Sequence, residues 1–239
     1  MPPEPKPDTE IERILVVAAH PDDADFGAAG TIASWTDAGI AVTLLCCTHG
    51  EQGARPDADI QAIPALREQE QRAASAELGV SDVRFLDGFR DGWLTPGFEL
   101  QRAIVEVIRD VRPQRILCQS PERNYERIRS SHPDHLAAGD ATIRAAYPAS
   151  ENPFAWPEMN LPFWHVGELW LMAHPTAHHV IDVTGQFDRK VAALKQHASQ
   201  TAHNTELEAM LRGWGEAVGR THSLPDGHLG EVFGIVPIN

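Results

Sequence analysis

Residues 11–23 read IERILVVAAHPDD, an apolar run that becomes continuous and then stops on a histidine, a proline and two aspartates. A short run of this kind, without polar alternation, marks a strand buried on both faces of a parallel sheet. The cluster His20-Pro21-Asp22-Asp23 therefore falls at a strand's carboxyl end. Residues 26–38 follow as a helix rich in small residues and closed by Gly39.

The same strand-then-helix unit recurs along the chain. Residues 40–48 (IAVTLLCCT) make a second buried strand, and 49–63, with Gly50, Gly53 and Pro56, a loop. Pro64 suits the first turn of a helix through Leu66, Ala73, Ala74 and Leu78, stopped by Gly79. A third strand is expected at 83–86, a loop at 87–97, and an amphipathic helix at 98–111 carrying Leu100, Ile104, Val107, Ile108 and Val111. RILCQ at 115–119 is the fourth strand, and 133–146 the helix after it. Beyond an irregular stretch at 147–164, strands are expected at 165–173 and 178–183, and helices at 186–199 and 205–219. This alternation predicts an α/β domain: a parallel sheet, right-handed crossovers and helices on both faces. It runs over 11–239, after a flexible tail at 1–10.

Composition narrows the function. The chain has 239 residues, of which 42% are apolar and 23% charged, as in a soluble globular domain. Asp and Glu number 34 against 20 Lys and Arg, a net charge of −14. That balance argues against nucleic-acid and anionic-membrane surfaces, which need a basic footprint. The first ten residues lack the apolar core of a secretory signal, and no apolar run has the length of a membrane span. Cys46, Cys47 and Cys118 are odd in number and lie in expected strands, so they read as buried thiols in a reduced, cytoplasmic protein.

A second cluster, His132-Pro133-Asp134-His135, follows the fourth strand. In open α/β sheets, strands 1 and 4 are often neighbours, and ligands bind in the crevice between their carboxyl ends. The topology thus brings together two clusters more than a hundred positions apart. Alone, either is a turn with an Asp cap and a proline in the first helical turn. Together, His20, Asp22, Asp23, His132, Asp134 and His135 supply a catalytic zinc site. Two imidazoles and a carboxylate hold the metal and leave a position for water. A further carboxylate serves as base, and a histidine as oxyanion partner or acid. Which aspartate binds metal is open at this level. A dinucleotide site is excluded, because HPDDADFGAAG places aspartates where phosphates would lie.

AHPDD after the first strand and HPDH after the fourth resemble the PIG-L/LmbE-like zinc N-deacetylases. The resemblance covers residues 11–200 or so by motif order. It implies a Rossmann-like three-layer sandwich with a mostly parallel sheet, and removal of acetyl groups from N-acetylglucosamine-type amino sugars or glycoconjugates. It further implies one Zn2+ per chain on His20, Asp23 and His135, with Asp22 as general base. His132 becomes the electrostatic partner or acid, and Asp134 orients it. Thr48-His49-Gly50-Glu51 resembles the family's T-x-G-E turn, and Arg67-Glu68-Gln69-Glu70 its R-x-x-E, so Glu51 and Arg67 are expected near a small-molecule substrate. Read without the family, these are a glycine turn and a helix-surface ion pair. Lys195 to Gln200 resembles a late K-x-H-x-S-Q segment.

The chain departs from the pattern at Ala24, where the family often has glutamate, and at the basic segment PERNYERIRSS before HPDH. Arg123, Arg127 and Arg129 there suit either an anionic substrate or a solvated loop. Trp93, Phe98, Trp156, Phe163 and Trp164 suit a sugar pocket, core packing or a contact in a homo-oligomer. Two alternatives stand beside deacetylation. One is a zinc amidase cleaving a larger acyl group, as from a thiol conjugate; the other is a non-catalytic metal- or sugar-binding protein.

Overall fold

A computed structural model describes residues 2–53 and 59–239. The expected loop at 49–63 is described except at 54–58. Among the described residues, seven strands form one sheet in the order β3-β2-β1-β4-β5-β7-β6. They are β1 (Arg13–Ala18), β2 (Ala41–Cys46), β3 (Asp82–Phe85), β4 (Arg115–Gln119), β5 (Glu168–Met172), β6 (His179–Asp182) and β7 (Gly230–Pro237). The first five pair in parallel, while β7 runs antiparallel between β5 and β6.

The double-sided burial expected for β1 has a direct cause. Ile14, Val16 and Ala18 face one apolar cluster, and Leu15, Val17 and Ala19 the opposite one. Helices α1 (Asp23–Asp37), α2 (Ile63–Glu77) and α5 (Phe187–Gln196) cover the first face. Helices α3 (Phe98–Val111) and α4 (Pro133–Arg144) cover the second. Short helix α6 (Ala198–Thr201) follows α5, and α7 (Leu207–Thr221) buries Leu207 and Leu211 against α5, Val183 and Leu229. Helix α4 lies so close to β4 that a Cβ on Gly139 would stand 2.3 Å from the Gln119 carbonyl oxygen. Any larger residue there would push the second cluster off the sheet.

Several boundaries differ from expectation. Helix α1 begins three residues early, inside the first cluster, because Asp22 rather than a later residue breaks the helical path. The expected helix at 186–199 is interrupted by His197, whose φ/ψ of −77°/55° leaves the helical region. Strand β7 was not expected at all. The segment read as a tail makes contacts: Lys6 N donates to Glu168, and Arg115 binds Asp8 Oδ1 and the Lys6 carbonyl. All three cysteines are buried and unpaired. Among the described residues, no helix is long and apolar enough to cross a membrane.

Sheet order locates the crevice. From β1 the chain winds outward to β2 and β3, then crosses back to lay β4 on β1's other side. The strand order reverses between β1 and β4, so their carboxyl ends diverge into a cleft.

Candidate functional site

Both clusters open on that cleft. After β1 the chain turns at His20 and Pro21, and Asp22 adopts a left-handed conformation (φ 85°, ψ −23°) before α1 starts. Few non-glycine residues occupy that region, so Asp22 marks a strained elbow. After β4 a loop leads to His132, which caps α4: its Nδ1 accepts the Asp134 amide at 3.2 Å, and Pro133 takes the first turn. The rings of His20, His132 and His135 form a triangle with centroids 5.2, 5.4 and 5.5 Å apart.

Asp23 sits between two of those rings. Its Oδ1 is 2.9 Å from His135 Nε2 and its Oδ2 3.4 Å from His20 Nδ1. Oδ2 also accepts the His20 amide and Gln119 Nε2, both at 2.8 Å. On the far side of the ring, His20 Nε2 lies 3.0 Å from both Asp91 Oδ1 and Asp134 Oδ2. A carboxylate behind one imidazole nitrogen fixes the tautomer and turns the other nitrogen's lone pair toward a metal. On that logic His20 Nδ1, the Asp23 carboxylate and His135 Nε2 could together hold a metal ion. The groups whose donors lie within 4.8 Å of one another are His20, His132 and His135, and His20, Asp91 and Asp134.

The charge balance fits a cation. Burial works against a charge on His20, but Asp23, Asp134 and Asp91 outweigh it and push its pKa up to about 12. Burial opposes the charge of His135 as well, and Asp23 raises its pKa. Burial would raise the Asp23 pKa, yet the two imidazoles hold it well below the usual carboxylate range. Desolvation and the neighbouring His20 lower the pKa of His132, whose side chain is exposed. A cation held by the same side chains would offset these carboxylates.

Asp22 is set apart. Burial raises its pKa, Arg67 lowers it and Asp23 raises it again, leaving it at about 7. A carboxylate near that value can both take and release a proton at neutral pH. Arg67 Nη2 holds its Oδ2 at 3.1 Å, and Gln71 Oε1 accepts its amide at 2.8 Å.

Three of the expected site residues have partners that the sequence did not indicate. The Asp134 carboxylate, fully buried beneath His20, accepts the amides of Gly92 (2.6 Å) and Leu94 (3.2 Å) and orients His20. Toward His132 it is the Asp134 backbone amide, not the carboxylate, that donates to the ring Nδ1. Arg67, expected at the substrate, is buried under the elbow, where its guanidinium donates to the carbonyls of Gly50 and Pro21. Gly50 (φ 68°) permits this approach, since a Cβ would stand 2.1 Å from Arg67 Nη1. Glu51 Oε1 accepts the Asp91 amide at 2.9 Å, tying two loops together.

Asp91 and Gln119, at the site, and Gln71, buried behind it, bond its residues and were missed by sequence reasoning. The available signal for Asp91 was positional, since its loop follows the carboxyl end of β3, where ligands gather. Of the remaining histidines, His178 reaches the Pro3 carbonyl at 3.3 Å and His179 packs edge-on against Trp170, both away from the cleft. Arg123 donates to the Ser131 carbonyl and braces the loop before His132.

Comparison with known proteins agrees with this geometry. Residues 15–146 match the family profile described as PIG-L, GlcNAc-PI de-N-acetylase. The chain is 34% identical over 189 residues to a 1D-myo-inositol 2-acetamido-2-deoxy-alpha-D-glucopyranoside deacetylase of Streptomyces avermitilis. That match covers 68% of this chain and 62% of the relative, so the chain spans a little under two thirds of that relative's length. It is 33% identical over 211 residues to the Bacillus cereus protein named "Probable N-acetyl-alpha-D-glucosaminyl L-malate deacetylase 2", covering 83% of this chain and 85% of that one. Among solved structures, N,N'-diacetylchitobiose deacetylase from Pyrococcus horikoshii superposes with a TM-score of 0.86 at 25% identity, covering 97% of this chain and 86% of that chain.

Proposed function

The chain belongs to the PIG-L family, and from that premise we propose that it is a zinc-dependent hydrolase. It removes the N-acetyl group from an N-acetylglucosamine-type amino sugar or glycoconjugate. The observation that carries this reading is the Asp23 carboxylate set between His20 Nδ1 and His135 Nε2, with the raised-pKa carboxylate of Asp22 on the adjoining residue. The names of the three proteins compared above, deacetylases of acetamido sugars, point to the same bond.

His20, Asp23 and His135 would hold the metal, which when bound would supply a water of lowered pKa and polarisation of the amide carbonyl. The remaining steps belong to the chain's own groups. Asp22 takes the proton of the attacking water and returns it toward the leaving amine. Arg67 donates to that carboxylate, and Gln71 accepts the backbone amide of the same residue. His132, across the cleft from the elbow, donates a hydrogen bond to the oxygen that becomes negative as water adds. Asp134 and Asp91 hold His20 in a single tautomer.

The test is a screen of amine release from N-acetylated amino sugars and their glycosides, with metal content measured on the same sample. Release of acetate and free amine by protein carrying about one zinc per chain is expected. Preference for a longer acyl group would make it an amidase instead. No release from any substrate by metal-loaded protein would leave only a binding role.

A further inference from the structure

Behind the elbow, on the side away from the cleft, a second carboxylate and imidazole meet in the core. Asp25 Oδ2 is 2.9 Å from His197 Nε2, and both side chains are fully buried. The same oxygen accepts Gln71 Nε2 at 2.8 Å, and Gln71 Oε1 accepts the Asp22 amide at 2.8 Å. The path runs from the break between α5 and α6, through α1 and α2, to the base itself.

The polarity of this chain of bonds is determined. A glutamine amide has one donating end and one accepting end, and their assignment follows from the partners. The Asp25 oxygen takes the donating end, so the accepting end must face the Asp22 N–H. His197 supplies the other donor to that oxygen. It can do so because the α5 helix stops there, at φ/ψ −77°/55°. Asp22 needs such support, since its φ of 85° is a conformation that side chains with a Cβ rarely adopt.

We propose that His197, Asp25 and Gln71 form a positioning relay that holds the Asp22 elbow in its left-handed turn and so aims the catalytic carboxylate. None of the three opens on the cleft, and none is a catalytic residue. The inference rests on Asp22 being the base.

The experiment compares kcat, KM and zinc content of the zinc-loaded wild type with Gln71→Met, His197→Phe and His197→Gln. Gln71→Met keeps the length but makes neither bond. A base displaced by about an ångström costs on the order of 10²-fold in turnover. That loss is therefore expected in kcat for Gln71→Met, with a smaller one for His197→Phe. KM and zinc content should stay at wild-type values. His197→Gln retains a donor near the Nε2 position and should recover most of the kcat that His197→Phe loses. Should Gln71→Met fail to fold, Gln71→Asn, which keeps the amide but withdraws it by one methylene, takes its place. Wild-type kcat per folded, zinc-loaded molecule in both the position-71 variant and His197→Phe would overturn the relay, as would a His197→Gln no better than His197→Phe. A wild type without amine release, or an Asp22→Asn variant with undiminished release, fails the functional reading instead.

Discussion

The sheet's central strands carry buried charge at both ends, and the two ends neutralise it differently. At the amino end, Arg115 opens β4 fully buried, with its guanidinium 4.4 Å from the Trp170 ring and 5.4 Å from Trp35. It donates to Glu168 Oε1 and Asp8 Oδ1, each at 2.6 Å, and to the Lys6 carbonyl at 2.8 Å. Cation, counter-charges and aromatic walls all come from the chain itself. At the carboxyl end, Asp23, Asp91 and Asp134 surround His20 and His135, and the permanent cation beside them, Arg67, is committed to Asp22. There three carboxylates close on two imidazoles, a setting that suits the proposed cation. Burial of charge alone does not separate the two ends; the kind of group that balances it does.

Exchanging single groups at either end separates chemistry from stability. Asp22→Asn should lower kcat by about 10³-fold, within the range of a lost general base, while zinc content is unchanged. Paired turnover and metal measurements check it, and surviving turnover would place the base elsewhere. Glu168→Gln should do the reverse. Removing one partner of a buried pair costs about 3–5 kcal/mol of stability, seen in denaturant unfolding, with kcat and zinc per folded molecule unaltered. A change in zinc content there would break the contrast between the ends.

Asp91→Asn takes away one of the two carboxylates behind His20. Zinc affinity should fall by about 10- to 100-fold, read by competition with a chelator, while the unfolding midpoint of the metal-free protein moves little. The smallest effect is a pH dependence in metal-free protein. Asp23, Asp91 and Asp134 have folded pKa values below the ordinary 3.8, so the stability they contribute is present above that value and lost as pH falls through the lower ones. Asp22 has the opposite sign. Raised to about 7, it contributes stability that is full below 3.8 and lost as pH rises through 7. His20 and His135, also raised, lose their contribution on the same alkaline side. Thermal unfolding of metal-free protein should therefore peak in mildly acid solution, and Asp22→Asn should make the alkaline fall shallower without abolishing it.

Local pattern made part of this legible. Helix α3 and strand β4 fall on their expected residues, because an amphipathic stripe and a continuous apolar run depend on neighbours in sequence. The two clusters were readable for a related reason: strand ends expose short polar turns, and sheet order does the rest. Strand β7 was not readable, since its alternation is broken by Gly230 and Gly234 and its place depends on pairing with β5 and β6 from opposite sides. Asp91 lies in a loop without periodicity, and it joins the site only because its loop folds back on the Asp134 carboxylate through Gly92. Arg67 looked like a surface residue of a helix start, and the carbonyls of Pro21 and Gly50 that bury it come from two other turns.

The central claim is that the two clusters close around one metal ion which the hydrolysis requires. Calorimetric titration of metal-stripped protein with Zn2+, with amine release followed at each addition, tests it most directly. The account predicts one saturating event at about one zinc per chain, activity returning in step with it, and neither in His135→Ala. Amine release that persists in stripped protein, or a His135→Ala variant that binds zinc as tightly as wild type, would contradict it.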